Sequence, residues 1–150
     1  MNIVIKEASI EDINNGLLEV YIEGYRYHQN GRPDIFINVS NDTLKEDLIK
    51  GFEEFKYLIA IENEKVVGYL AYKIKVKHSK KLYVDQLIVT EENRRKGIGK
   101  KLMDYAEQIA NKENCDRLEL DCWTFNKNAL NMYENIGFDR QWIMYEKKIK

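Results

Sequence analysis

The residues best placed for chemistry lie between Leu82 and Lys101, in the run Leu-Tyr-Val-Asp-Gln-Leu-Ile-Val-Thr-Glu-Glu-Asn-Arg-Arg-Lys-Gly-Ile-Gly-Lys-Lys. An apolar strand-like stretch passes into a cationic turn, then into Gly97 and Gly99 at the head of a helical pattern. The first backbone N–H groups of a helix have no partner within it, and the helix dipole favours an anion there, so this order suits phosphate. Glycines let a ligand come close where a Cβ would obstruct it. Arg94, Arg95, Lys96, Lys100 and Lys101 surround the turn with positive charge. Spacing excludes two phosphate motifs. A nucleotide P-loop needs Ser or Thr after Gly-Lys, and Gly99-Lys100 is followed by Lys101. A dinucleotide fold needs a third glycine three residues past the second, where this chain has Leu102.

The elements that must hold this turn are legible from periodicity. Residues 2–7 read as a strand, and Ser9 with Asp12 as a capping box. Ile10, Ile13, Leu17, Tyr21 and Gly24 follow at helical spacing, giving one first helix that fades into a loop over 25–33. A second helix is expected from about Asp42 or Thr43, with Leu44, Leu48 and Phe52 on one face. Residues 57–61, 65–77 and 82–89 read as antiparallel strands. Glu62-Asn63-Glu64 forms the first turn, and Tyr72, Ile74 and Val76 lie opposite Lys73, Lys75 and Lys77. Ile98, Leu102, Tyr105, Ala106 and Ile109 make the stripe of a helix ending near Asn114. A strand over 117–122 follows, with Leu118, Leu120 and Cys122 inward, then a short helix over 126–135. One long or two short strands over 138–149 carry Trp142 and Tyr145. A strand–helix–strand unit around the glycine turn requires a parallel pair inside an otherwise antiparallel sheet.

Composition sets the outer bounds. The 150 residues suit one domain, 1–150, with no repeat, linker or low-complexity tract. Charged residues make up 33% of the chain, but they nearly cancel to a net −1, which disfavours a dedicated nucleic-acid binder. There is no membrane-length apolar run and no signal-peptide pattern, so a soluble cytoplasmic protein without a membrane partner is expected. The two cysteines, Cys115 and Cys122, have no metal-ligand spacing and suggest no disulfide framework.

With the two nucleotide motifs excluded, Val89-x-x-x-x-Arg94-x-x-Gly97-x-Gly99 on a strand-to-helix turn resembles the coenzyme A loop of the GCN5-related N-acetyltransferase superfamily. Asn126-x-x-Ala129-x-x-x-Tyr133-x-x-x-Gly137-Phe138 resembles that family's second block. The resemblance covers the whole chain and is sharp from Tyr83 to Phe138. Where many relatives carry proline, this chain has Glu91, which bears on the stiffness of the turn.

The resemblance implies an α+β fold, a three-layer arrangement of a mixed, mostly antiparallel sheet with a central parallel pair and helices on both faces. It implies an acetyl-CoA-dependent N-acetyltransferase with no metal, moving acetyl to a primary amine by direct attack. Coenzyme contacts fall to Leu87, Ile88, Val89, Arg94, Arg95, Lys96, Gly97, Ile98, Gly99, Lys100, Asn126, Ala129 and Tyr133. Strands splaying near Leu87–Val89 would free backbone groups for the pantetheine arm. Tyr133 stands at the position of the general acid that protonates the leaving thiolate; a core aromatic is its bland alternative. The amine needs a base or a water path, since alkylamines have a pKa of about 10.

Asp85, counted on the same strand face as Leu87 and Val89, is the first candidate base; an edge-strand surface carboxylate is the alternative. Glu119, Asp121 and His28 rank below it. The cysteines are read as structural, with a covalent mechanism a poor second. Tyr25, Tyr27, His28, Asp34 and Phe36 offer aromatic walls and one carboxylate for a cationic acceptor, or simply a packed loop. Small amines, polyamines, aminoglycosides and peptide or protein amines all stay open as acceptors. The resemblance also allows a homodimer. A silent acetyl-CoA sensor is the competing reading of the whole chain.

Overall fold

The computed structural model describes residues 2–150. Its frame is a five-stranded sheet in sequential order: β1 (Ile3–Glu7), β2 (Lys56–Glu62), β3 (Lys65–Val76), β4 (Lys80–Val89) and β5 (Arg117–Leu120). The first three pairings are antiparallel and β4–β5 is parallel. Helices α1 (Leu17–Gly31) and α2 (Asn41–Glu54) precede β2. Helix α3 (Ile98–Lys112) makes the crossover from β4 to β5, and α4 (Lys127–Asn135) follows β5. This is the expected α+β architecture.

Strand alternation splits the sheet's side chains between two cores. One face sends Leu58, Ala60, Leu70, Tyr72, Leu82 and Val84 against Ile98, Leu102, Met103, Ala106 and Ala110 of α3. The other sends Tyr57, Ile59, Tyr69 and Ala71 against Ile13, Leu17, Val20 and Leu48. A dozen large side chains are sealed almost completely from water, each worth ~1.5–3 kcal/mol of burial.

The first helix differs from the sequence expectation. The Ser9 and Asp12 capping box forms, with Ser9 N–H donating to Asp12 Oδ2 at 2.8 Å, but it opens a 3-10 turn over Ile10–Asn15. Gly16 then takes φ +106 and breaks the run, so α1 begins afresh at Leu17. α1 also continues to Gly31 through the stretch read as a loop, closed by the Arg32 N–H on the His28 carbonyl. α2 starts earlier than expected because Ser40 caps it, accepting from the Thr43 N–H at 3.1 Å. The β2–β3 turn has Asn63 and Glu64 both at positive φ, 50 and 65, the signature of a tight hairpin.

Two further differences bear on the site. The register of β3 on β4 passes from Ala71↔Gln86 to Tyr72↔Val84, so Asp85 is the extra residue of a β-bulge. The other difference is at the C-terminal side. Residues 138–149, expected as strands, form none; beyond Asn135 the chain has no regular element and β5 stays the edge of the sheet. Cys122 likewise lies beyond β5, while Leu118 and Leu120 pack inward as expected. Among the described residues no helix is long and apolar enough to cross a membrane.

Candidate active site

The gap at the centre of the site is a consequence of the parallel pair. β4 and β5 are in register from Lys81↔Arg117 to Val84↔Leu120; there β5 ends, and β4 runs on to Val89 paired with β3 only. The parting therefore begins earlier than Leu87. The Thr90 N–H donates to the Val67 carbonyl at 3.1 Å, which fixes the phase of the β3–β4 ladder. In such a ladder alternate residues turn their backbone groups to the neighbour, so Ile88 faces β3 while Leu87 and Val89 face the gap. The Val89 carbonyl is occupied by Arg94, whose Nε donates to it at 3.1 Å. The backbone groups of Leu87 are left to address whatever enters the gap.

Beside the gap stands the head of α3. Gly97 is its N-cap at φ +76, and no side chain caps the helix. The first helical bond is Lys101 N–H to the Gly97 carbonyl at 3.0 Å, so the N–H groups of Ile98, Gly99 and Lys100 have no intrahelical partner. A Cβ built on Gly97 meets nothing within 4 Å, whereas one on Gly99 lies 3.3 Å from Met132 Sδ. The two glycines therefore serve different ends. Gly97 supplies a left-handed backbone and an open approach; Gly99 lets α4 pack close. A cavity of about 390 Å³ opens alongside, lined by Glu91, Arg94, Arg95 and Asn128. Uncapped N–H donors, an open glycine and two guanidinium groups fit a pyrophosphate-bearing ligand such as coenzyme A.

The loop is stapled from beneath. Buried Asn93 donates through Nδ2 to Thr90 Oγ1 at 2.7 Å and accepts from Lys96 Nζ at 2.9 Å. Lys96 also meets Glu62 at 3.4 Å, so its charge is shared with that carboxylate. Lys100 is held by Asp104 one helical turn on, at 2.9 Å. On the other side, the Glu91 N–H donates to Glu23 Oε2 of α1 at 2.8 Å. Arg94 lies 5.5 Å from the centre of the Tyr27 ring, and the Tyr27 hydroxyl donates to Asn126 Oδ1 at 3.2 Å. Asn126 caps α4, accepting from Ala129 N–H at 3.3 Å. Tyr27, expected on the acceptor side, ties α1 to the Arg94 turn and to the cap of α4.

Tyr133 is held on α4 against the α3-side core, edge to face with Phe138 at 5.8 Å. Burial, and secondarily the neighbouring Cys122, push its phenol well above the ordinary value, so it stays protonated. Burial alone raises the Cys122 thiol. For Cys115 burial is again the first cause of a raised pKa. Neither cysteine is an activated nucleophile.

The bulge corrects the face assigned to Asp85. Leu87 and Val89 pack toward α3, whereas Asp85, itself exposed, lies within electrostatic reach of Tyr21, Tyr57 and Tyr69 on the side of α1 and α2. Desolvation, then Glu54, raise its pKa against the pull of Lys73 and Lys75. Desolvation also leads the upward shift of Tyr21, to about 12, with Asp47 and Asp85 contributing. The buried Tyr69 hydroxyl donates to the Gln86 side chain at 2.8 Å. Glu119 is spent on Gln141 and Lys81, at 3.0 and 3.1 Å, and Asp121 accepts from the Tyr83 hydroxyl at 2.9 Å.

The aromatic expectation gains members. Tyr25 and His28 both pack on Phe36; His28 also meets Phe125, and Phe36 meets Trp123. The Gly24 carbonyl only accepts, so the His28 Nδ1 that lies 2.8 Å from it is the donor. Asp34 is corrected as a free carboxylate. Arg32 grips it at 3.0 and 2.9 Å, and that guanidinium, the leading cause, lowers its pKa to about 2. Trp123 and Phe125, three residues and one residue before Asn126, were not among the expected site residues. Asn93, Met132 and Asn128 carry no comparable local signal.

Proteins of known family share this sheet that parts beside a glycine-capped helix. The acetyltransferase (GNAT) family matches residues 17–138, and the chain belongs to that family. N-alpha-acetyltransferase 30 of Homo sapiens is 30% identical over 116 residues, 72% of this chain and 32% of that protein. The chain thus spans about a third of the length of that curated relative. Among solved structures, a tetramutant of the BH1408 protein from Bacillus halodurans superposes with TM-score 0.84 at 22% identity, covering 97% of this chain and 99% of that one. The ribosomal-protein-alanine N-acetyltransferase from Brucella melitensis does so with TM-score 0.75 at 20% identity, covering 99% and 100%. Both share the fold.

Proposed function

We propose that residues 1–150 form one acetyltransferase domain that moves the acetyl group of acetyl-CoA to a primary amine, placing the α-amine of a peptide or protein first among acceptors. One observation carries the reading: the parallel pair parts after Val84↔Leu120 beside the uncapped, glycine-led head of α3. In this reading the Ile98, Gly99 and Lys100 N–H groups and Arg94 and Arg95 hold the phosphates. Leu87 takes the pantetheine arm through its backbone, and Gly97 leaves room for the ligand. The coenzyme supplies an activated thioester; the chain binds, orients and moves protons. Tyr133, kept protonated by burial, gives its proton to the departing sulfur. On the acceptor side Asp85, or His28 in its place, receives the proton of the amine, directly or through water.

The acceptor class follows from this modest basic equipment. An α-amine has a pKa near 8 and is partly neutral at physiological pH, whereas a lysine near 10.4 demands a stronger base. The names of two relatives, N-alpha-acetyltransferase 30 and ribosomal-protein-alanine N-acetyltransferase, support the same choice. A soluble, cytoplasmic setting belongs to this proposal.

The test is thiol release from acetyl-CoA against peptides with free and blocked N-termini, free lysine, polyamines and aminoglycosides. Turnover confined to free N-termini is expected. Turnover on polyamines or aminoglycosides alone would overturn the acceptor choice. Thermal stabilisation by acetyl-CoA with no turnover on any amine would favour a sensor over an enzyme.

A further inference from the structure

The bulge in β4 sets two polar side chains next to each other. Asp85 is its unpaired residue, and Gln86 re-enters the ladder opposite Ala71. A regular strand sends consecutive side chains to opposite faces. Here both turn to the side of α1 and α2: Asp85 comes within electrostatic reach of Tyr69, and Gln86 accepts the Tyr69 hydroxyl at 2.8 Å. They are also the first residues of β4 past Val84, the last that pairs with β5. The pair therefore stands where the sheet begins to part, on the face opposite α3.

Tyr69 fixes which way the amide faces. Its ring is buried and packs on Tyr21 at 6.2 Å and on Tyr57 at 5.8 Å, and its hydroxyl finds its acceptor in Gln86 Oε1. Turning the amide over would set Nε2 against the hydroxyl and strand the phenolic proton in a sealed core, which is costly. Oε1 is thereby held inward. No hydrogen bond joins Nε2 to the described residues, and no buried side-chain nitrogen or oxygen among them lacks a partner, so Nε2 is open to solvent. An ionised carboxylate only accepts and an amide nitrogen only donates, so Asp85 and Gln86 together present an acceptor beside a donor. A peptide N-terminus offers the complement, an amine with a carbonyl oxygen close by on the same residue. Alkylamines, polyamines and lysine side chains carry the amine without that carbonyl.

We propose that Gln86 selects α-amines by donating from Nε2 to the carbonyl oxygen of the acceptor's first residue, whose amine lies at Asp85, with Tyr69 as the positioning residue that holds the amide. The inference rests on the acceptor reading above and adds the group that recognises it. Steady-state kinetics on a peptide with a free N-terminus test it. Gln86→Leu raises KM for the peptide by about fivefold to tenfold, the weight of one hydrogen bond, and keeps the thermal shift given by acetyl-CoA. Gln86→Glu keeps the shape and the bond from Tyr69 but turns an oxygen toward the carbonyl, and it fails as Gln86→Leu does. A thioamide at the first peptide bond, whose sulfur accepts weakly, costs wild type severalfold in KM, Gln86→Leu nothing further, and Tyr69→Phe an intermediate amount. An unchanged KM in Gln86→Leu, full recovery in Gln86→Glu, or an equal thioamide loss in wild type and Gln86→Leu would overturn the inference and leave the α-amine acceptor standing. A fall in kcat at unchanged KM would place Nε2 on the thioester carbonyl and overturn it as well. A thioamide loss in Tyr69→Phe equal to that of wild type would remove the positioning role. Wild type that turns over no free N-terminus would overturn the acceptor reading itself, and this inference with it.

Discussion

Gly97 and Gly16 allow a controlled separation of backbone strain from ligand obstruction. Both have positive φ, +76 and +106. A Cβ at Gly97 enters open space, while one at Gly16 lies 3.2 Å from the backbone N and O of Val66. The left-handed conformation costs an alanine ~1–2 kcal/mol. At ~2–4 °C per kcal/mol for a chain of this size, Gly97→Ala should lower Tm by about 2–8 °C. Gly16→Ala carries the same strain plus a backbone collision and should lose more. Coenzyme binding should follow the opposite order. At a hundredfold excess over Kd a ligand stabilises by about 2.7 kcal/mol, a shift of roughly 5–11 °C. Wild type and Gly16→Ala should both show that shift on adding acetyl-CoA. Gly97→Ala should lose most of it, because its methyl occupies the approach to the phosphates. Gly97→Asn completes the series: asparagine tolerates the left-handed region, so Tm should recover while binding stays lost. Thermal melts and calorimetric titrations read both quantities. An undiminished coenzyme shift in Gly97→Ala would refute the placement of the ligand.

Tyr133→Phe should keep acetyl-CoA affinity and lower kcat by about 100-fold or more, the usual weight of a general acid; an unchanged kcat in steady-state assays would remove the role. Asp85 has a raised pKa, so the native state holds its proton more tightly than the unfolded chain does, and stability falls as pH climbs through the interval above the ordinary value of 3.8. Asp85→Asn should therefore raise Tm at pH 7, with the gain vanishing below about pH 3.8, as melts across pH would show. If Asp85 is also the base, the same variant lowers kcat/KM for the amine. Asn93→Ala removes both bonds that staple the loop and should cost ~1–3 kcal/mol in urea unfolding, with weaker coenzyme binding; an unaltered midpoint would deny the staple.

The parts legible in the sequence were those whose signal is local. Gly97 must supply a left-handed N-cap and Ser9 a capping box, and each can be read within a few residues. The stripe from Ile98 to Ile109 needs no knowledge of what covers it. What stayed hidden depends on distant partners. Counting alternate residues placed Asp85 with Leu87 and Val89, because an unpaired residue in a ladder shows only against its opposite strand. Residues 138–149 have a strand's composition, yet a strand exists only where an edge meets it. Asp34 is a different case: its partner Arg32 is only two residues away, but the grip depends on side-chain geometry that spacing does not show. The alternation of Lys73, Lys75 and Lys77 was plain, but that Lys73 meets Glu54 of α2 at 2.6 Å was not.

The bulge at Asp85 also changes what kind of object the cleft is. Extra residues in one strand of a pair bend and twist that strand. Here the bend falls directly after Val84, the last residue β4 shares with β5. The opening is thus written as a count of residues along a strand, and its existence does not depend on which side chain occupies position 85. Substitutions there leave the slot in place. Deleting the residue would do the reverse: β4 would straighten, continue its ladder with the chain beyond Leu120, and zip the cleft shut with the glycine-led head of α3 unchanged.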